Sequence, residues 1–352
     1  MFTYCSWIAA VARQRGIHAG PTRRGRPLNV TFYGVRGSTP CSCDSNRRYG
    51  GNTSCVAIEW PGRDPIVLDL GTGFRFFGMT QPNDGTFRGT ALVSHLHWDH
   101  VQGIPFFTPM LAEGARLDVY APAQESGPLC EAVKTFMSPP YFPVEIEALP
   151  GAFGFHEVEQ GTFDIDGATV TVAPVPHIGP TVGYRIERDG VSLAYVSDHQ
   201  QPGVGSTEIA SSVLELCDGV DLLIHDAQFD DAEFAARADW GHCTIDYAVE
   251  VAVRSGARRL ALFHHDPSHC DERMDELLER ARAHGARRGL DEVIAASEGL
   301  TVALSASGAR RNGRHAGPNG GVVLNGHATP NGHATPNGSG AEPTSGREAA
   351  TR

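Results

Sequence analysis

The chain has 352 residues, 41% of them hydrophobic, enough to bury the core of one large domain or two ordinary ones. No run approaches the ~18 consecutive apolar residues that a membrane span needs, and the opening MFTYCSWIAAVARQR has no basic stretch ahead of its apolar segment, so the sequence predicts a cytoplasmic protein with no membrane partner. The net charge is −12. Residues 1–27 carry five arginines and no acid, and residues 308–352 carry five arginines against two glutamates, so the middle is more acidic than the whole, and Lys134 is the single lysine. An extended nucleic-acid footprint needs clustered Lys and Arg; this composition argues against one and leaves room for a small anionic substrate.

In chain order, residues 1–27 read as a flexible extension in which SWIAAVA can form a short helix. Residues 28–307 alternate apolar runs with turn signals. LNVTFYG, CVAIEW, PIVLDL, TALVSH, RLDVYA, ATVTVAPV, VGYRIE, SLAYVSD, DLLIHD, RLALFHH and LTVALS are short, rich in β-branched residues and bounded by Gly, Pro or Asp, which predicts strands. Helical spacing occurs in GPLCEAVKTFM, STEIASSVLELC, TIDYAVEVAVRSG and DERMDELLERARAHG, the last with Asp271 as the expected N-cap. Strands ahead of helices in each half predict sheets stacked face to face with helices outside. From residue 308 the tail repeats a unit rich in Gly, Pro and Asn, which predicts disorder, with His315, His327 and His333 as solvated linker residues. The eight cysteines are scattered without a CxxC pair and read as reduced thiols.

Ionisable residues concentrate where these strands end. In SHLHWDH, residues 94–100, His95 and His97 are two apart and share a face of an extended backbone, while Asp99 and His100 follow the turn beyond Trp98. One short loop can thus feed two metal ions. His177, Asp198, His225, Asp226, His242, His264 and His265 each follow an apolar strand or begin a helix. A lone histidine in such a place is usually a hydrogen-bonded structural residue; repetition at strand ends points to a shared cleft.

The HxHxDH pattern with a later His, Asp and His resembles the metallo-β-lactamase superfamily over residues 28 to 305. FYGVRGSTP, GGNTSC and VLDLGTG resemble its phosphodiesterase branch, which includes tRNA 3′-processing and cyclic-phosphate enzymes. The resemblance implies a four-layer αββα sandwich and two divalent cations, zinc first, with manganese or iron as alternatives. It places His95, His97 and His177 on one cation, Asp99, His100 and His264 on the other, and Asp198 between them. His264 is preferred to His265, which would then be structural. Asp99 would also orient or deprotonate a water. The HDA and HCT segments imply His225 as general acid with Asp226 orienting its ring, and His242 and Thr244 as phosphate contacts; Thr244 also suits the N-cap of TIDYAVEVA. Asp69 is expected to anchor the metal loop by hydrogen bonding.

Hydrolysis of a small phosphodiester, a cyclic nucleotide or cyclic sugar phosphate, is the leading expectation. An ester, thioester or lactone hydrolase on the same scaffold is the alternative, and a non-catalytic metal-stabilised sensor a further one. Processing of tRNA ranks low, because only residues 178–197 separate His177 from Asp198, enough for a hairpin but not for the tRNA-binding arm. A homodimer is compatible with all of these.

Overall fold

The computed structural model describes residues 27–306. The N-terminal extension up to residue 26, including SWIAAVA, and the repeat tail with its three histidines lie outside the described residues. Fourteen strands run in chain order: β1 (Leu28–Gly34), β2 (Cys55–Glu59), β3 (Ile66–Leu68), β4 (Arg88–Leu92), β5 (Arg116–Pro122), β6 (Ala152–Val158), β7 (Gly161–Ile165), β8 (Ala168–Pro174), β9 (Val182–Arg188), β10 (Val191–Val196), β11 (Leu222–Asp226), β12 (Arg259–Phe263), β13 (Glu292–Ala295) and β14 (Thr301–Leu304). They form two seven-stranded sheets, ordered β14-β1-β2-β3-β4-β5-β6 and β13-β12-β11-β10-β9-β8-β7.

Strand alternation divides the core. In β1, Leu28, Val30 and Phe32 point between the sheets, where they meet Tyr184, Leu193, Ile224 and Phe263 of the second sheet; the Phe32 and Phe263 rings lie 6.1 Å apart. Residues of opposite parity face helices. Ala57, Val67 and Ala91 pack with α1 (Phe74–Gly78) and α3 (Leu129–Phe136), while α2 (Trp98–Val101) ends the loop that follows β4. Leu223, Leu260 and Leu262 pack with α4 (Ser211–Leu216), α6 (Ile245–Arg254) and α7 (Asp271–Arg287), and the short α5 (Asp231–Ala235) follows β11. Strands buried on both faces read as continuous apolar runs, which is why the central ones were visible in the sequence. The result is a four-layer αββα sandwich. Among the described residues no helix is long and apolar enough to cross a membrane.

Three strands escaped the sequence pattern: β6, β7 and β13. Each lies at a sheet edge, and β6, AFGFHEV, is half-buried along most of its length with no alternation to read. The N-cap of α7 also differs from expectation. Cys270 occupies that position, and Asp271 instead accepts hydrogen bonds from the backbone N–H of Arg48 (2.9 Å) and Tyr49 (3.2 Å). The carboxylate therefore fastens a distant loop rather than the helix end.

Pairing is parallel from β3 to β6 and from β10 to β13. The carboxyl ends of β4, β10, β11 and β12 consequently emerge at one edge of the sandwich, where loops can meet without disturbing the core.

Candidate metal centre and active site

Asp69 organises the loop that follows β4. Its buried carboxylate accepts hydrogen bonds from Ser94 N–H (2.7 Å), Ser94 Oγ (2.9 Å), His100 Nδ1 (2.7 Å) and Tyr195 OH (2.6 Å). With its proton given to Asp69, Ser94 Oγ accepts from His95 Nδ1 at 3.0 Å. Elsewhere His177 Nδ1 donates to Gly241 O (2.6 Å) and His264 Nδ1 to Gln228 Oε1 (2.8 Å). The second nitrogen of each ring is thereby left facing a common centre, the arrangement that a hydrogen bond to the first nitrogen imposes on metal-binding imidazoles.

Two triads converge there. His95, His97 and His177 bring ligand atoms together, with His95 Nε2 2.8 Å and His177 Nε2 3.3 Å from His97 Nδ1. Asp99, His100 and His264 form the other: Asp99 Oδ2 lies 3.0 Å from His264 Nε2 and 3.2 Å from His100 Nε2. Asp198 stands between them, Oδ1 within 3.9 Å of His95, 3.8 Å of His177 and 3.5 Å of His264, and Oδ2 3.3 Å from His100. His100 Nε2 and Asp198 Oδ2 are buried and have no hydrogen-bond partner. Orphaned buried polar atoms are costly unless something else satisfies them, and an imidazole lone pair facing a carboxylate oxygen is a donor set that a divalent cation fits.

Electrostatics favour the ligand forms with one exception: at His100 burial opposes the charged form, but Asp99, Asp198 and Asp69 outweigh it and hold the imidazole well above its ordinary value, so a cation there would have to displace a proton. Burial, reinforced by neighbouring imidazoles, holds His95 well below the ordinary histidine value, and burial lowers His97 and His177 as well. Burial alone would raise Asp99 and Asp198, but the surrounding histidines outweigh it and hold both carboxyls well below their usual range. Neutral imidazoles and ionised carboxylates are the forms a cation requires.

Local backbone geometry is tuned to this packing. His264 has φ +58°, and a Cβ on Gly37 would sit 2.4 Å from its Nδ1, so only glycine lets the two loops meet. Gly241, at φ +93°, is as constrained: a Cβ there would meet the His177 ring at 2.4 Å. His265 points away from the centre, donating from Nε2 to Ala296 O at 2.9 Å with its ring edge-on to Tyr49.

The β-lactamase superfamily domain model matches residues 73–265, more than half of the chain. The chain belongs to that superfamily. Ribonuclease Z of Natronomonas pharaonis is 30% identical over 298 residues, covering 71% of this chain and 92% of that protein. Among solved structures, a diphosphatase of the PhnP family (20% identity, TM-score 0.56, 78% of this chain and 97% of that one) and the short form of human tRNase Z (21%, TM-score 0.53, 78% and 98%) share the fold.

In this β-lactamase-superfamily hydrolase the HDA and HCT segments pair differently from expectation. His225 is fully buried. Its Nδ1 donates to Asp226 O at 2.7 Å and its Nε2 accepts from His199 Nδ1 at 3.0 Å, so it does not reach the centre. The Asp226 carboxylate instead lies 3.1 Å from His242 Nδ1, and the His242 ring stacks at 5.0 Å on His264. Burial works against a charged His242, but Asp226 outweighs it and raises its pKa. His242 also comes within reach of Asp198, at 3.7 Å. Thr244 caps α6, accepting from Tyr247 N–H at 3.1 Å, and does not contact the centre.

Sequence reasoning passed over Ser94, Tyr195, Gln228 and His199. Only Ser94 and His199 carried a signal, each standing beside a ligand; Tyr195 and Gln228 reach the site through tertiary contacts. The interval 178–197 is the β9–β10 hairpin, turned at Asp189-Gly190, both with positive φ.

Proposed function

We propose that this hydrolase cleaves a small phosphodiester, and that His242 rather than His225 protonates the leaving group. The observation that carries this is the buried Asp226–His242 pair packed against His264 of a paired-triad centre. Names of the relatives, Ribonuclease Z and a diphosphatase, support phosphate over carboxylic esters. Two divalent cations, zinc first with manganese or iron as alternatives, would be held by His95, His97 and His177 and by Asp99, His100 and His264 with Asp198 between, supplying Lewis acidity toward water and phosphoryl oxygens.

The chain's own groups do the rest. Asp99 Oδ2 is fixed by the Ser38 N–H at 2.7 Å and kept ionised, so it can orient a water and accept its proton. Asp226 accepts from His242 Nδ1–H and favours the imidazolium, whose Nε2–H can deliver its proton to the departing alkoxide and leave the ring neutral. Asp69 and Gln228 hold His100 and His264 in register while the substrate changes charge.

A second reading, processing of a tRNA precursor, is favoured by the relatives' names. The hairpin across residues 178–197 and the acidic composition weigh against it. Metal-loaded protein should hydrolyse bis(p-nitrophenyl) phosphate and at least one cyclic nucleotide while giving no gel shift with precursor tRNA. Tight tRNA binding with cleavage at the 3′ end would transfer the proposal to the second reading; activity confined to lactones or thioesters would overturn both.

A further inference from the structure

Large apolar side chains left in water are unusual beside a polar centre. Among the described residues, Trp98 is 62% exposed, Ile178 55% and Trp240 58%. Each is a chain neighbour of a group already at the centre or tied to it: Trp98 sits between His97 and Asp99, Ile178 follows His177, and Trp240 precedes Gly241, whose carbonyl holds His177. The rings of His97 and His177 lie 5.1 Å apart. Three separate loops, each beside a residue of the His97–His177 side in the chain, therefore present apolar surface to solvent.

Trp240 is also supported from behind. The Arg237 guanidinium lies 5.5 Å from the Trp240 ring and 5.4 Å from that of Phe229, and Phe229 in turn packs edge-on against His242 at 5.8 Å. No carboxylate among the described residues pairs with Arg237. In a chain this acidic, most of the other described arginines face acids or backbone carbonyls, so a cation held between two aromatic rings, one of them packed on His242, favours an anionic ligand that also has a flat face. Exposed indoles with an adjacent guanidinium are the side chains on which nucleobases stack, whatever the base.

Resting on the phosphodiesterase reading, we propose that Trp98, Ile178 and Trp240 form a collar that stacks on the base of a nucleotide, so that the substrate class is a nucleotide phosphodiester and not a bare sugar phosphate. Arg237 acts as a positioning residue that holds the Trp240 ring. Collar and centre divide the work: the collar binds the base, and the centre binds the phosphate.

The test compares AMP with ribose 5-phosphate, two monoanion-to-dianion phosphates differing in the base, by titration calorimetry on zinc-loaded full-length protein. AMP should bind at least about ten-fold more tightly, since stacking contributes ~1–3 kcal/mol per base. Trp240→Ala and Trp98→Ala should each weaken AMP at least about five-fold while moving ribose 5-phosphate by less than about two-fold, and Arg237→Gln should weaken AMP by a smaller factor in the same selective way. Equal affinities in the wild type, or variants that weaken both ligands in parallel, would overturn the collar. Because binding is read without turnover, the two proposals separate. Hydrolysis of bis(p-nitrophenyl) phosphate without AMP preference sinks the collar alone, whereas AMP preference without hydrolysis of any phosphodiester sinks the reaction alone.

Discussion

The two sides of the centre are built on opposite plans. On one, the loop at residues 94–100 is tethered from behind, Ser94 and His100 by Asp69 and His95 by Ser94, and its ligands other than His97 are buried. On the other, the segment from Asp226 to Thr244 fixes His242, the proposed proton donor, and leaves Trp240 in water with Arg237 half-exposed beside its ring. A cation cage has to be rigid before the ion arrives, because misplaced ligands forfeit affinity. A lip that meets the variable part of a substrate needs only its reactive atom fixed.

That contrast can be broken most severely at Asp198, the carboxylate shared by both triads. Asp198→Ala should abolish hydrolysis, by at least about 10³-fold, with circular dichroism unchanged; activity within ten-fold of the wild type would remove Asp198 from the centre. On the other side, His242→Gln should lower kcat by ~10²–10⁴-fold, while His225→Gln should change kcat by less than about five-fold and lower the melting temperature, losing ~1–3 kcal/mol of buried hydrogen bonding. The opposite order of effects would restore His225 as the acid. Asp69→Asn should weaken cation binding ~10–100-fold, read by chelator competition, and an unchanged affinity would mean that the loop is rigid without its anchor.

The smallest effect concerns His265, buried outside the centre. Burial, with Arg36 adding to it, pushes its pKa down to about 3. A folded-state pKa below the unfolded value of ~6.5 means the unfolded chain takes up the proton first, so stability is present above that value and is lost as pH falls through this window by up to ~1.4 kcal/mol per unit. Urea unfolding of the wild type should lose about 1–2 kcal/mol more than His265→Gln between pH 6.5 and 5. Parallel losses would show that His265 titrates alike in both states.

How much of this was legible in the sequence follows from range. His95, His97, Asp99 and His100 sit in one loop, so spacing alone suggested their shared direction. His177, Asp198 and His264 stood out by their places at strand ends, but only family resemblance joined them to that loop, since no local pattern links them. The proposed shift of the proton donor from His225 to His242 turns on something the sequence did contain. Along β11, Leu222 and Ile224 face the sheet interface and Leu223 faces the helices, so His225 and Asp226 must point to opposite sides. Adjacent in sequence, they could not both enter one cleft. The Asp226–His242 contact spans two loops and waits on the tertiary structure, as does the stapling of Asp271 to Arg48 and Tyr49. Edge strands β6, β7 and β13 were missed because half-buried strands lack the apolar run that marked the centre of each sheet.

Elemental analysis of the full-length protein, reconstituted with zinc and passed through a desalting column, tests the central claim most directly. The paired triads predict about two cations per chain, with both occupancies lowered in Asp198→Ala and only one in His264→Ala. Substoichiometric zinc in the wild type, or two ions retained in both variants, would contradict it.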